Sequence, residues 1–118
     1  MSKKILVVDD DNMMHILYQA HFRDEINKGL AQFYFKHSAV DALDFIREEE
    51  LDYVLSDVNM PQMTGLELLK IVKEEKPELD VVIISAFDNN REEAEALKAT
   101  LFLQKPIKMD DLKELIFK

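Results

Sequence analysis

The chain of 118 residues is long enough for one domain of the usual size of about 100 to 200 residues, and we expect a single domain over residues 1–118. Its formal net charge of −9 disfavours direct binding to nucleic acids, whose phosphate backbone attracts basic proteins. The absence of cysteine excludes disulfides, thiolate metal sites and cysteine nucleophiles, and favours a reducing compartment such as the cytoplasm.

Five short runs rich in β-branched and aromatic residues alternate with longer amphipathic segments. This alternation is typical of a parallel sheet with helices on both faces, an α/β fold. The predicted strands are residues 4–8, 32–36, 52–56, 81–85 and 101–104. The first and the fourth are continuously apolar, as expected for interior strands, whereas the second is typical of an edge strand.

A first helix is predicted over about residues 12–25. Its apolar side carries four residues at helical spacing: Met13, Ile16, Leu17 and Ala20.

No apolar run in the chain approaches the ~20 residues that a membrane span requires, and no signal-peptide core follows Met1. We therefore expect no membrane insertion.

Four further helices complete five strand–helix units. Thr64 with Glu67 forms a capping-box pattern at the start of the third helix, and Ser38 with Asp41 forms a weaker version at the second. The fourth helix is predicted to begin near Asn90, and apolar residues at helical spacing predict a fifth helix at the end of the chain.

Polar residues end or directly follow four of the five predicted strands. They are the acidic run Asp9, Asp10 and Asp11, then Asp57, Ser85 and Lys105. In an open parallel sheet these ends lie along one edge, where ligands bind. Any one of these carboxylates can be explained as a helix cap, but several in one crevice repel each other unless a cation intervenes. Oxygen ligands without cysteine or nearby histidine favour Mg²⁺.

A magnesium site of this kind predicts a phosphate ligand, because Mg²⁺ binds through one or two carboxylates together with a phosphate oxygen. A carboxylate can act as a nucleophile and form an acyl phosphate, whose oxygens need a metal, a hydroxyl and a positive charge. Asp57, Ser85 and Lys105 with Mg²⁺ supply that set. Nucleotide and flavin cofactors are not expected, because Gly29 and Gly65 are the only glycines and cannot form a phosphate-binding glycine-rich loop.

Four motifs in register resemble the receiver domain of bacterial two-component response regulators, of the chemotaxis-regulator type. They are ILVVDDD at residues 5–11, LSDVNMPQMTG at 55–65, ISA at 84–86 and FLQKP at 102–106. The resemblance covers the whole chain. It implies a flavodoxin-like doubly wound five-stranded parallel sheet of order 2-1-3-4-5 with five helices, and a cis peptide bond between Lys105 and Pro106.

The resemblance also implies a role for each acidic residue. Asp57 is expected to accept a phosphoryl group from a phosphohistidine on a sensor histidine kinase or a histidine phosphotransfer protein. Asp10 and Asp57 are expected to bind Mg²⁺ together with the backbone carbonyl of Asn59, and Asp9 to bind it through water. Asp11 is explained as a capping charge at the start of the first helix.

The resemblance further implies that Ser85 and Phe102 form a switch and that Lys105 acts beside them. Ser85 and Lys105 are expected to contact the phosphoryl group, with Ser85 moving towards it. Phe102 is then expected to turn inward, which changes the surface made by the fourth helix, the fifth strand and the fifth helix. That surface would control a downstream effector or output whose identity the sequence does not give.

Two alternative functions are weighed against this one. A pseudo-receiver that serves only as a binding module would have lost the acidic pair, the acceptor or the lysine, and none is lost. A Mg²⁺-dependent aspartyl phosphohydrolase of the haloacid dehalogenase type needs an acid two residues after the nucleophile, where this chain has Asn59. We therefore expect no enzyme beyond self-catalysed phosphorylation and dephosphorylation, and favour a stand-alone receiver.

The three histidines and Lys98 lie outside these motifs. His15, His21 and His37 lack ligand spacing in the sequence and are expected to be half-buried or on the surface. Lys98 occupies the place where the family commonly ends the fourth helix with glycine. A non-glycine residue in a left-handed conformation there would cost on the order of 1 kcal/mol.

Overall fold

The structure is a computed structural model that describes residues 2–117, so Met1 and Lys118, the ends of the predicted domain, lie outside the described residues. Its five strands form one parallel sheet of order β2-β1-β3-β4-β5, which confirms the predicted flavodoxin-like topology with β2 at an edge. The strands are β1 (Lys3–Val8), β2 (Ala31–Lys36), β3 (Tyr53–Asp57), β4 (Asp80–Ser85) and β5 (Leu101–Gln104).

Residues 2–117 form six α-helices, with a 3₁₀ turn at Asp88–Asn90 before the fifth. The helices are α1 (Asn12–His21), α2 (Arg23–Asn27), α3 (Ala39–Glu48), α4 (Gly65–Glu75), α5 (Arg91–Ala96) and α6 (Met109–Phe117). Within the described part of the chain, none is both long and apolar enough to cross a membrane. The cytoplasmic location stays a prediction.

The predicted first helix is divided into α1 and α2 at Phe22. This residue leaves helical geometry, with φ −99° and ψ 19°. Its side chain is fully buried and its ring lies 5.1 Å from that of Phe33 on β2. The helix is therefore interrupted where the Phe22 ring packs into the core. The local sequence pattern alone did not predict this interruption.

The capping predictions are confirmed. Thr64 accepts a hydrogen bond from the backbone N–H of Glu67 at 3.1 Å, and the Glu67 side chain accepts one from the N–H of Thr64, a full capping box. Ser38 caps α3, and Asp11 caps α1 by accepting from the N–H of Met13 at 2.9 Å. Asp11 thus serves the start of a helix, as expected.

The side of α1 that faces the core differs from the prediction. Met13, Ile16 and Leu17 are 59%, 54% and 48% exposed, whereas His15 and Tyr18 are buried. The sequence of α1 carries two stripes at helical spacing, and the buried stripe leads to Phe22. Aromatic side chains have the larger surface to bury, so their stripe takes the core position. The aliphatic stripe is left in solvent.

The core forms two layers, one on each face of the sheet. Alternate residues of β1 enter different layers: Leu6 and Val8 pack beneath α3, α4 and α5, and Ile5 and Val7 pack beneath α1 and α6. This two-sided burial explains the continuous apolar run of β1. Because all five strands are parallel, their carboxyl ends lie at one edge of the sheet, where the polar residues follow.

Lys98 has the left-handed backbone that the sequence analysis anticipated, with φ 70° just after α5. We expect Lys98→Gly to raise the free energy of unfolding by about 0.5–1 kcal/mol, because glycine adopts this conformation without a steric cost. Lys98→Ala keeps the Cβ atom and should give no gain. Urea unfolding of the two variants and the wild type measures the difference, and an equal gain in both would contradict this explanation.

Candidate functional site at the carboxyl edge of the sheet

Three carboxylates meet where β1 and β3 end. Asp9 and Asp10 follow β1, Asp57 ends β3, and each offers an oxygen within 4.8 Å of the others. The two strands are paired in parallel with Val8 beside Ser56, so the residues that follow emerge side by side. Asp9 and Asp57 are only 5% and 9% exposed, while Asp10 is open to solvent.

Lys105 brings a positive charge to this cluster from the end of β5. Its Nζ atom lies 3.4 Å from Oδ2 of Asp57 and 3.9 Å from Oδ2 of Asp9. The backbone N–H of Lys105 donates to the carbonyl of Ser85 at 2.8 Å, which joins the ends of β4 and β5. The peptide bond to Pro106 is cis, as predicted. The structure therefore brings the predicted acidic residues and the lysine into one site.

The electrostatics of the site favour an additional cation. Burial raises the pKa of Asp57, and the neighbouring Lys105 ammonium only partly opposes this effect. Burial likewise raises the pKa of Asp9, against the N–H of Asp11 and the charge of Lys105. Three carboxylates face one ammonium, so negative charge is in excess. A cluster of oxygen ligands with excess negative charge fits Mg²⁺.

The loop after Asp57 returns to touch the backbone of Asp57 itself. Oδ1 of Asp57 accepts from the N–H of Val58 at 2.9 Å, and the N–H of Gly65 donates to the carbonyl of Val58 at 2.9 Å. A Cβ atom on Gly65 would lie 2.0 Å from the backbone oxygen of Asp57. Asn59, whose carbonyl the resemblance assigns to the metal, lies in this loop with an exposed side chain. Sequence analysis did not predict the close approach, although the single glycine at the start of α4 was a signal.

Ser85 and Phe102 lie on the two strands beyond Asp57. Asp57 is paired with Ile84, so Ser85 is the next residue along β4, and its fully buried hydroxyl accepts from the N–H of Phe87 and the amide of Asn90. Phe102 is already buried, with its ring covered by a guanidinium group. The inward turn predicted for Phe102 would therefore begin from a ring that is already inside.

Comparison with known proteins agrees with this geometry. The family model of the response regulator receiver domain matches residues 5–117. The chain belongs to this family. The transcriptional regulatory protein ZraR of Salmonella typhimurium is 39% identical over 117 residues, which are 97% of this chain and 25% of ZraR. Sporulation initiation phosphotransferase F of Bacillus subtilis is 32% identical over 120 residues, covering 100% of this chain and 94% of that protein.

Solved structures of receiver domains share the fold. The Francisella response regulator 1452 receiver domain has a TM-score of 0.87 at 26% identity, covering 98% of this chain and 93% of that one. Response regulator TrrA from Thermotoga maritima, solved in complex with Mg(2+)-BeF, has a TM-score of 0.85 at 24% identity over 97% and 96% of the two chains. This receiver domain spans only 25% of the length of ZraR.

One of the three histidines of the receiver domain, His15, is more buried than predicted. His15 is 7% exposed, and its ring centroid lies 4.7 Å from that of His37. Packing of α1 beside the end of β2 joins two residues that are far apart in sequence. His21 is half-buried and His37 exposed, as expected. Among residues 2–117, no group of three or more potential metal ligands includes a histidine.

The charge of Asp57 is expected to destabilise the receiver domain in the absence of a metal ion. Because burial raises the pKa of Asp57, the folded state binds its proton more tightly than the unfolded state does, and stability falls as the pH rises through that pKa. We expect Asp57→Asn to raise the free energy of unfolding at pH 7 by about 1 kcal/mol.

Urea unfolding without Mg²⁺ measures this gain. The matched control is Asp44→Asn, which removes an exposed carboxylate from α3 and should change stability by less than about 0.5 kcal/mol. Added Mg²⁺ should stabilise the wild type and not Asp57→Asn. An Asp57→Asn variant less stable than the wild type in metal-free buffer would contradict the electrostatic account.

Proposed function

We propose that this receiver domain accepts a phosphoryl group on Asp57 in a Mg²⁺-dependent transfer from the phosphohistidine of a sensor histidine kinase or a histidine phosphotransfer protein. The proposal rests mainly on one observation: the Asp57 carboxylate lies at the carboxyl edge of the sheet within 3.4 Å of the Lys105 ammonium and beside two further carboxylates. Asp10, Asp57 and the carbonyl of Asn59 would hold Mg²⁺, with Asp9 acting through water. The bound metal supplies positive charge that offsets the carboxylates and the phosphoryl oxygens.

Residues of this chain orient the Asp57 carboxylate and stabilise the negative charge of the phosphoryl group that it accepts. The N–H of Val58 holds Oδ1 of Asp57, which fixes the plane of the carboxylate. A carboxylate oxygen attacks phosphorus, the P–N bond to the donor imidazole breaks, and the imidazole takes up a proton. Lys105, which pairs with Asp57 beforehand, then pairs with the phosphoryl oxygens.

The phosphoryl group acts as a signal in this proposal, and the chain catalyses only its own phosphorylation and dephosphorylation. The surface of α5, β5 and α6 corresponds to the fourth helix, fifth strand and fifth helix of the sequence analysis. We propose that it changes when Ser85 binds the phosphoryl group and so controls an effector. The position of Ser85 and Phe102 on β4 and β5, between Asp57 and α5, supports this route.

We propose that the phosphodonor protein docks on the aliphatic stripe of α1, defined as Met13, Ile16 and Leu17. The stripe is exposed, and α1 begins directly after the acidic run, so a protein that brings a phosphohistidine to Asp57 covers it. We expect Ile16→Asp to slow transfer from a phosphorylated histidine phosphotransfer protein about tenfold, because a charge would enter an apolar contact.

Two measurements separate docking from chemistry. Phosphorylation of Ile16→Asp by acetyl phosphate, which needs no docking, should stay within about twofold of the wild type. Val40→Asp makes the same change from an aliphatic to an acidic side chain at an exposed position of α3, and is the matched control that should retain transfer from the protein donor. Equal loss with both donors would instead indicate a damaged site and would refute docking on α1.

Intact-mass spectrometry after incubation with Mg²⁺ and acetyl phosphate tests the proposed function. We expect one phosphoryl adduct on the wild type, and none after removal of Mg²⁺ with a chelator or in Asp57→Asn. A pseudo-receiver would give no adduct under any of these conditions. A phosphohydrolase would consume a phosphomonoester continuously, and either result would overturn the proposal.

A further inference from the structure

We propose that Asn90 is a positioning residue, which turns the hydroxyl of Ser85 towards the phosphoryl group on Asp57 and connects that contact to α5. The inference rests on the proposed phosphorylation of Asp57. It adds a residue that lies outside the four motifs and has no part in the chemistry described above.

The hydrogen bonds of Ser85 carry the argument. Its Oγ atom accepts from the N–H of Phe87 at 3.0 Å and from the side-chain amide of Asn90 at 2.9 Å. A hydroxyl has two lone pairs and one proton, so these two bonds use its accepting capacity and leave the proton as the group to be donated.

The Ser85 hydroxyl is fully buried and both of its lone pairs accept hydrogen bonds, so it can only donate to a further partner. Ser85 is 0% exposed, so solvent does not serve as that acceptor, and leaving a buried donor unpaired is unfavourable. Asn90 lines the same groove of about 550 Å³ as Val58 and Asn59, the two residues that follow Asp57. Asp57 is paired with Ile84, the residue before Ser85, so a phosphoryl group on Asp57 would lie at the same strand ends as this hydroxyl and could accept its proton.

The side chain of Asn90 has no competing role at the start of α5. Asn90 ends the 3₁₀ turn directly before α5 with helical backbone angles, φ −84° and ψ −10°, and makes no side-chain hydrogen bond to that helix. A capping residue has an extended backbone instead, so Asn90 is not in capping geometry. Its amide is therefore available to Ser85.

The next residue connects this bond to Phe102. The guanidinium of Arg91 lies 4.7 Å from the centroid of the Phe102 ring and pairs with Asp88 at 2.8 Å. Asn90 and Arg91 are adjacent in the chain, so a movement of Ser85 that carries Asn90 with it also displaces the cover of Phe102. The contact at Asp57 is thereby linked to α5 and β5.

The test replaces the amide donor by an acceptor of the same shape. In Asn90→Asp the carboxylate accepts the proton of Ser85 and turns it away from Asp57. With saturating Mg²⁺, we expect affinity for beryllofluoride, an analogue of the phosphoryl group, to fall about tenfold, the usual scale for losing a hydrogen bond to a charged group. Aspartate is also a favourable residue before a helix, so thermal stability should be retained.

A double-mutant cycle distinguishes action through Ser85 from a general effect of charge. Calorimetric titration with beryllofluoride compares the wild type, Asn90→Asp, Ser85→Ala and the double variant. We expect the double variant to bind within about twofold of Ser85→Ala alone, because Asn90 acts through the hydroxyl that is missing. Asn89→Asp adds the same charge one residue earlier at an exposed position and should bind like the wild type.

Two results would overturn the inference and leave the proposed function standing: wild-type affinity in Asn90→Asp, or independent, additive losses in the double variant. A similar loss in Asn89→Asp would also refute it, because charge alone would then explain the effect. A wild-type chain that binds no beryllofluoride with Mg²⁺ present would overturn the proposed function, and the inference with it.

Discussion

We expect Lys105→Met to slow Mg²⁺-dependent phosphorylation of Asp57 about a hundredfold, the scale of losing one oriented group that stabilises a transferring anion. The ammonium lies 3.4 Å from Asp57 and 3.9 Å from Asp9, and methionine fills the same space without charge. The rate of adduct formation from acetyl phosphate, followed by intact mass, measures the effect.

The same substitution should have the opposite effect on the metal. Lys105 repels a cation at the carboxylates, so its removal should tighten Mg²⁺ binding by about threefold or more in a partly buried site. Lys105→Arg retains the charge and is expected to lie between the wild type and Lys105→Met in both measurements. If Lys105→Met lost Mg²⁺ affinity together with rate, a general disruption of the site would explain it better than the loss of a charge.

Gly65→Ala is expected to lower the free energy of unfolding by about 3 kcal/mol, at the upper end for overpacking a buried site. The added Cβ atom would lie 2.0 Å from the backbone oxygen of Asp57 and 3.0 Å from Oγ of Ser56. The obstacle is backbone, so no side-chain rotation relieves it. The loop or the end of β3 must shift, and Mg²⁺ affinity should fall with stability.

Gly29 provides the control for Gly65. It has φ +74°, and a Cβ atom added there would meet no neighbour within 4 Å, so Gly29→Ala introduces conformational strain without a clash. That variant should lose on the order of 1 kcal/mol and keep its Mg²⁺ affinity. Urea unfolding and Mg²⁺ titration of both variants test the comparison. Equal costs at the two positions would refute the importance of the close approach at Asp57.

The sheet was predicted closely because its signals are local. Buried parallel strands appear as short apolar runs, and the polar residues after them mark where they end, so every predicted strand boundary lies within one residue of the structure. The capping pair Thr64 and Glu67 is likewise encoded within four residues. The acidic cluster follows from the strand ends, since parallel strands place these at one edge.

The remaining features depend on contacts between distant segments. In α1 the spacing of Ile16 and Leu17 is as helical as that of His15 and Tyr18, and only packing against β2 and α6 decides which stripe is buried. The close approach of Gly65 to Asp57 and the pairing of His15 with His37 arise in the same way.

The central claim is that the phosphoryl group is carried by the carboxylate of Asp57, and chemical trapping tests it most directly. Borohydride reduces an acyl phosphate to an alcohol, so the protein phosphorylated with Mg²⁺ and acetyl phosphate is reduced, digested and sequenced by mass spectrometry. We predict homoserine at position 57 and no reduction in the chelated sample. Homoserine at Asp9 or Asp10, or a stable phosphate on Ser85 in an unreduced chain, would contradict the account.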